Sequence, residues 1–219
     1  MSTDAPAVPV GGPLARYRAV RGRFYAYRER ATTGRMVALA IGFAGLTGVA
    51  AQLRVPLPFT PVPITLQTFA VLLAGIVLGA GYGGLSQALY VGLGLAGVPW
   101  FRGGGAGIGH LLGPTGGYIV GFVAAAGLVG SVTDRYAGAR RLPALLVVLA
   151  VADFVVIYGF GLPWLYAWLT LVEGTAVDVG RLLALGLLPF VPGDVVKLLA
   201  ATAVGRTIAP RTTLGGPER

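Results

Sequence analysis

The stretch PALLVVLAVADFVVIYGFGLPWLYAWLT, residues 143–170, is apolar throughout except for one charged residue, Asp153. A helix crosses the hydrocarbon core of a bilayer in about 20 predominantly apolar residues, so this segment is long enough to span. Composition extends that reading to the whole chain. Of 219 residues, 55% are hydrophobic and only 11% charged, and the mean hydropathy is +0.78. Soluble domains carry about a quarter charged residues. A surface this poor in charge faces lipid, and the chain reads as an all-α, polytopic membrane protein.

Five more spans flank the quoted one, over about residues 36–53, 64–79, 84–98, 118–133 and 192–205. The proline-rich loop RVPLPFTPVP (54–63) joins the first two, and the turn AGYGG the next two. The loop PWFRGGGAGIGHLLGPTGG leads into the fourth. Glu173, Asp178 and Arg181 punctuate residues 171–191, where Asp178 is placed to cap a short interfacial helix, VGRLLALGLL. Pro192 then suits the first turn of the last helix. The expected plan is a basic tail (1–34), a six-helix membrane domain (35–207) and a C-terminal tail (208–219). The first thirty residues hold no apolar core of the signal-peptide kind. Their arginines suit a surface of anionic headgroups.

The basic residues also set the expected orientation. Arg16, Arg18, Arg21, Arg23, Arg28, Arg30 and Arg35 precede the first span; Arg135, Arg140 and Arg141 follow the fourth; Arg206, Arg211 and Arg219 follow the sixth. The opposite loops hold only Arg54, Arg102 and Arg181. Both termini are therefore expected in the cytoplasm of a cell-membrane protein, and the net charge of +9 needs no nucleic acid to explain it.

Several chemistries are excluded. Cysteine is absent and His110 is the single histidine, which leaves no thiolate nucleophile and no metal cluster. The cluster GGGAG (103–107) has no following lysine, so it is not a nucleotide-binding loop. No cofactor is expected. Ionisable residues at membrane depth are costly and mark function by default. Three are present: Asp153, and Asp194 with Lys197, which share a helix face at i, i+3. Gln67 and Gln87 in neighbouring spans add amides. A structural ion pair and a pocket for a small polar ligand both fit, and the shared outer side favours the pocket. Asp153 serves equally as a helix-stitching hydrogen-bond partner or a ligand contact. The glycines within spans suit close helix packing, whereas loop glycines let backbone approach a ligand. The loop 54–63 is either a lid or a connector.

Three segments carry a resemblance to a known family: PFTPVPITLQTFAVLLAGIVLG, GLGLAGVPWFRGGGAGIGHLLGPTGGYIVGF and PFVPGDVVKLLAA. In this order they resemble the signatures of BioY, the biotin-binding S component of energy-coupling factor transporters, over about residues 35–207. The resemblance implies six helices holding one biotin near the outer surface, beneath the first loop. It also implies uptake driven by separate partners, a transmembrane coupling subunit and two ATP-binding subunits. Matched by motif, Asp194, Lys197, Gln67 and Tyr118 fall in the pocket, with Gly116 and Gly117 allowing close approach. Some members carry asparagine where this chain has Gly105, so a side-chain amide contact is lost there or replaced by backbone amides or Arg102. Biotin's ureido ring offers two N–H groups and a carbonyl, and its valerate is anionic. Asp194 suits the N–H groups and Lys197 an oxygen, with Phe59, Trp100, Phe101 and Tyr118 against the apolar parts. Which end meets the charged pair stays open.

Ala40, Ala44 and Gly48 form a small-residue stripe on the first helix. Internal packing is the general reading of such a stripe; the resemblance points instead to docking of the coupling subunit. Three alternatives remain at this point: an S component for another vitamin, a self-sufficient proton-coupled carrier with Asp153 as relay, and a membrane-embedded enzyme using Asp153, Asp194 and Lys197 as acid and base.

Overall fold

The computed structural model describes residues 31–208. The readings made of the N-terminal tail before residue 31 and of the C-terminal tail after 208 lie outside the described residues. The elements are α1 (Thr33–Gln52), a two-residue hairpin β1 (Arg54–Val55) and β2 (Ile64–Thr65), α2 (Gln67–Leu95), α3 (Ile108–Leu111) and α4 (Gly116–Arg135). Then follow α5 (Leu142–Ala150), a π-helical segment (Val151–Ile157), α6 (Tyr158–Leu171), α7 (Val179–Gly186) and α8 (Val191–Ile208). Four helical stretches are individually long and apolar enough to cross a membrane, and five if α7 and α8, bent by 49°, count as one.

The stretch α2 is not a straight rod. Gly79 has φ 77° and ψ −173°, outside helical geometry and easily reached only without a side chain. Gln67 Nε2 donates to Tyr90 Oη at 2.9 Å, although 23 helical residues would separate them by about 34 Å. The chain therefore reverses at Gly79 and its arms, 67–78 and 80–95, run antiparallel. The AGYGG turn expected after residue 79 is tighter than its sequence suggests. Asp134 Oδ2 accepts from the freed Ala80 N–H at 3.1 Å.

Small residues let these arms and α4 approach closely. A Cβ on Gly83 would lie 3.1 Å from Gly75 Cα, one on Gly75 2.7 Å from Ala126 O, and one on Gly130 2.2 Å from Gly79 C. Lipid supplies no hydrophobic reason to pair helices, so such contact, and the dispersion it allows, holds this seam. The polar groups buried here bond to one another or to helix carbonyls. Thr47 Oγ1 donates to Gln87 Oε1 at 3.2 Å, and Ser86 Oγ to Gly83 O at 2.7 Å. Gln87, expected near a ligand, instead ties α1 to α2.

The stripe on α1 also turns inward. Ala40 and Ala44 are fully buried, and a Cβ on Gly48 would meet Trp100 Cβ at 2.9 Å. Ala40, Ala44 and Gly48, expected to dock a partner, lie against the bundle's own residues.

Candidate functional site

Opposite the Gly79 turn, the bundle opens into a cavity of about 580 Å³ including its mouth. Elements from across the chain build it, among them α2 with Gln67 and α6 with Tyr158. The loop before β2 supplies Val62 and Pro63, α4 supplies Tyr118, Ile119 and Phe122, the π segment Asp153 and Ile157, and α8 Asp194 and Lys197. Thr60 Oγ1 donates to Leu185 O at 2.6 Å, which fastens the proline-rich loop to α7 as a roof. Asp178 caps α7 as expected, accepting from Arg181 N at 2.7 Å.

Three carboxylate and amine groups converge at the cavity's base. Lys197 Nζ donates to Asp194 Oδ1 at 2.6 Å, and Tyr158 Oη donates to Asp194 Oδ2. Asp194 is thus held from both sides, while Lys197 keeps ammonium hydrogens that no described residue receives. Asp153 is 1% exposed and neither carboxylate oxygen has a partner among the described residues. An unmet buried carboxylate is costly, and its position on the cavity wall points to a partner that enters from outside. The π-helical segment that carries Asp153 is a form common at functional sites.

Arg102 also lines the cavity, beside Thr115, whose Oγ1 accepts from Arg102 Nε at 3.2 Å. Gly103 and Gly104, at φ 70° and 74°, make the left-handed turn that projects it. Gln52 fixes this loop, its Nε2 shared between Trp100 O and Phe101 O and its Oε1 accepting from Gly104 N. Burial and the nearby Arg54 charge press the Arg102 pKa below its ordinary value. No described carboxylate pairs with either arginine. An anion placed there would relieve both effects.

Gln67, Tyr118, Asp153, Asp194 and Lys197 are therefore brought together as expected from sequence. Gly105, Gly116 and Gly117 are not. A Cβ on Gly105 would sit 2.2 Å from His110 Nδ1, one on Gly116 1.7 Å from Leu111 O, and one on Gly117 2.3 Å from Trp164 Cβ. Their space is taken by the protein itself, so these glycines permit packing rather than ligand approach. Phe59 is 58% exposed, Trp100 packs on Tyr90, and Phe101 stacks on His110. The apolar lining is instead Val62, Ile119, Phe122, Ile157 and Phe190 with Tyr118. The sequence does not single out Tyr158, because in an aromatic-rich span nothing distinguishes a hydroxyl that bonds from one that merely packs, nor Thr115, whose partner Arg102 only the fold brings near. Among the described residues no His/Asp/Glu group could hold a metal ion.

Comparison with known proteins agrees with this architecture. The chain is 44% identical over 143 residues to the probable biotin transporter BioY of Methanothermobacter thermautotrophicus, covering 65% of this chain and 91% of that one. It is 35% identical over 178 residues to the biotin transporter BioY of Rhodobacter capsulatus, with 75% and 91% covered. The fold matches the crystal structure of the S component for biotin from an ECF-type ABC transporter with a TM-score of 0.70 at 24% identity, over 80% of this chain and 92% of that one. A sequence model described as the BioY family matches residues 26–213. The chain belongs to the BioY family.

Proposed function

We propose that this protein is the biotin-binding S component of an energy-coupling factor transporter in a prokaryotic plasma membrane. The observation that carries it is the cavity between the Asp153 carboxylate, free of partners, and the Arg102 guanidinium. Biotin has complementary groups in the right order: a ureido head with two N–H donors, an apolar thioether ring and alkyl chain, and a terminal anion. The ureido N–H groups donate to Asp153, and its carbonyl accepts from Lys197. The carboxylate lies against Arg102 at the mouth, and Ile119, Phe122 and Phe190 take the apolar middle. The roof formed by loop 54–63 closes over the ligand.

Six crossings follow if each α2 arm is a span, with both termini on the cytoplasmic side by the arginine distribution. Transport is then driven by a coupling subunit and two ATP-binding subunits. The outward face of α1 suits the coupling subunit: a Cβ on Gly34, Gly42 or Gly45 would meet nothing within 4 Å, and Ile41 and Val49 are exposed. Gly42→Trp is expected to retain biotin binding and lose co-purification with the coupling subunit. Loss of both would return that face to internal packing.

Isothermal titration of the purified protein with biotin, without ATP, tests the assignment. One-to-one saturation is expected, because the cavity is preformed. Absence of saturable heat up to millimolar biotin would contradict it.

A further inference from the structure

At the end of the bundle opposite the biotin cavity, a second cavity of about 360 Å³ lies between the start of α5 and the end of α8. Its charged lining is entirely cationic: Arg140, Arg141 and Arg206. Arg140 is 5% exposed and its Nε donates to Thr133 O at 2.6 Å, so its guanidinium is held in place. Arg141 and Arg206 are exposed. The cavity continues into a groove of about 330 Å³ along the α5–α8 seam, with Leu142 and Arg206 common to both. Leu146, Leu199 and Ala203 line the groove. Thr202 Oγ1, also on its wall, is spent on Leu198 O at 2.8 Å, so the groove offers apolar surface. Leu142 and Leu199 are 42% and 52% exposed.

We propose that this compound site binds one anionic phospholipid of the adjoining leaflet. The phosphate sits against Arg140, Arg141 and Arg206, and one acyl chain lies along the α5–α8 groove. Charge and shape argue together. Basic pockets between helices at the membrane surface attract anionic headgroups, and the groove runs from that pocket toward the hydrocarbon. A free phosphate would leave the groove unexplained. The arginine-rich segment before residue 31 carries the wrong sign to fill the pocket. The site also has a structural consequence. Helix α8 bears Asp194 and Lys197 at its other end, and α5 runs directly into the segment bearing Asp153. A lipid wedged between α5 and α8 holds the two walls of the biotin cavity in register. The site does not depend on which side of the membrane this end faces.

Native mass spectrometry of the full-length protein in detergent tests the proposal, using phosphatidylglycerol and phosphatidylcholine with identical acyl chains. One phosphatidylglycerol is expected to remain bound under conditions that strip phosphatidylcholine. Each arginine near a headgroup contributes roughly fivefold, so Arg141→Gln with Arg206→Gln is expected to lower retention about thirtyfold. Leu199→Trp, which fills the groove without changing charge, is expected to lower it as well. Both variants are compared only as monodisperse, helical protein. Equal retention of the two lipids, or wild-type retention by the arginine variant, would overturn the site. Displacement of phosphatidylglycerol by equimolar inorganic phosphate would overturn its assignment to lipid.

Discussion

Helix α4 has two unlike faces. One packs Ala126 and Gly130 against the two arms of α2 so tightly that an added Cβ on Gly130 would lie 2.2 Å from backbone. The other turns Tyr118, Ile119 and Phe122 into an open cavity. Burial does not separate the two regions, since both contain deeply buried polar side chains. Hydrogen-bond satisfaction does. In the seam, Thr47, Gln87 and Ser86 find partners within the protein. In the cavity, Asp153 finds none. Satisfied polar groups hold helices together; the unsatisfied one lines the cavity, where the proposed biotin pose gives it a partner.

The comparison breaks most visibly at Lys197. Lys197→Ala removes a ligand contact and leaves Asp194 short of its cationic partner, and truncating one member of such a buried pair costs about 2–5 kcal/mol of affinity. Biotin titration of the folded variant checks it, and unchanged affinity would make the pair structural. At Gly130 the effect is expected to fall on stability instead. Gly130→Ala forces backbone apart, and overpacking of this kind costs about 1–3 kcal/mol. Thermal unfolding should shift downward while the variant that remains folded binds biotin as before. Thr47→Val is a smaller test of the same seam. It deletes the bond to Gln87, with an expected loss of about 1 kcal/mol in stability and none in affinity. Smallest of all is Phe59→Ala. Its ring is outside the cavity, and biotin affinity is expected to stay within about twofold.

Much of the molecule was legible in the sequence, for reasons that differ by residue. Spans show because lipid demands apolar length, and Asp194 with Lys197 stand out because charge is rare at that depth. The i, i+3 spacing put them on one face, and Pro192 put them near a helix start. What spacing does not tell is which neighbour a face meets. Ala40, Ala44 and Gly48 lie on one stripe of α1, but that stripe meets the bundle, and the glycines with open space beside them are Gly42 and Gly45. The same ambiguity affected Gly116 and Gly117, whose freedom is used by Trp164 and Leu111. Gln52 ends α1 with no partner evident from sequence; only the fold brings the 100–104 loop to its amide. The π-helical turn around Asp153 has no sequence signal of its own, and it is one of the features that aim that carboxylate at the cavity.

The central claim is that biotin fills the space between Asp153 and Arg102, head inward. A structure of the biotin-saturated protein tests this directly. Ureido nitrogens are expected within about 3.2 Å of the Asp153 carboxylate, with the valerate oxygens on the Arg102 guanidinium. Biotin seated elsewhere, or bound with the Asp153 oxygens still without a partner, would contradict it.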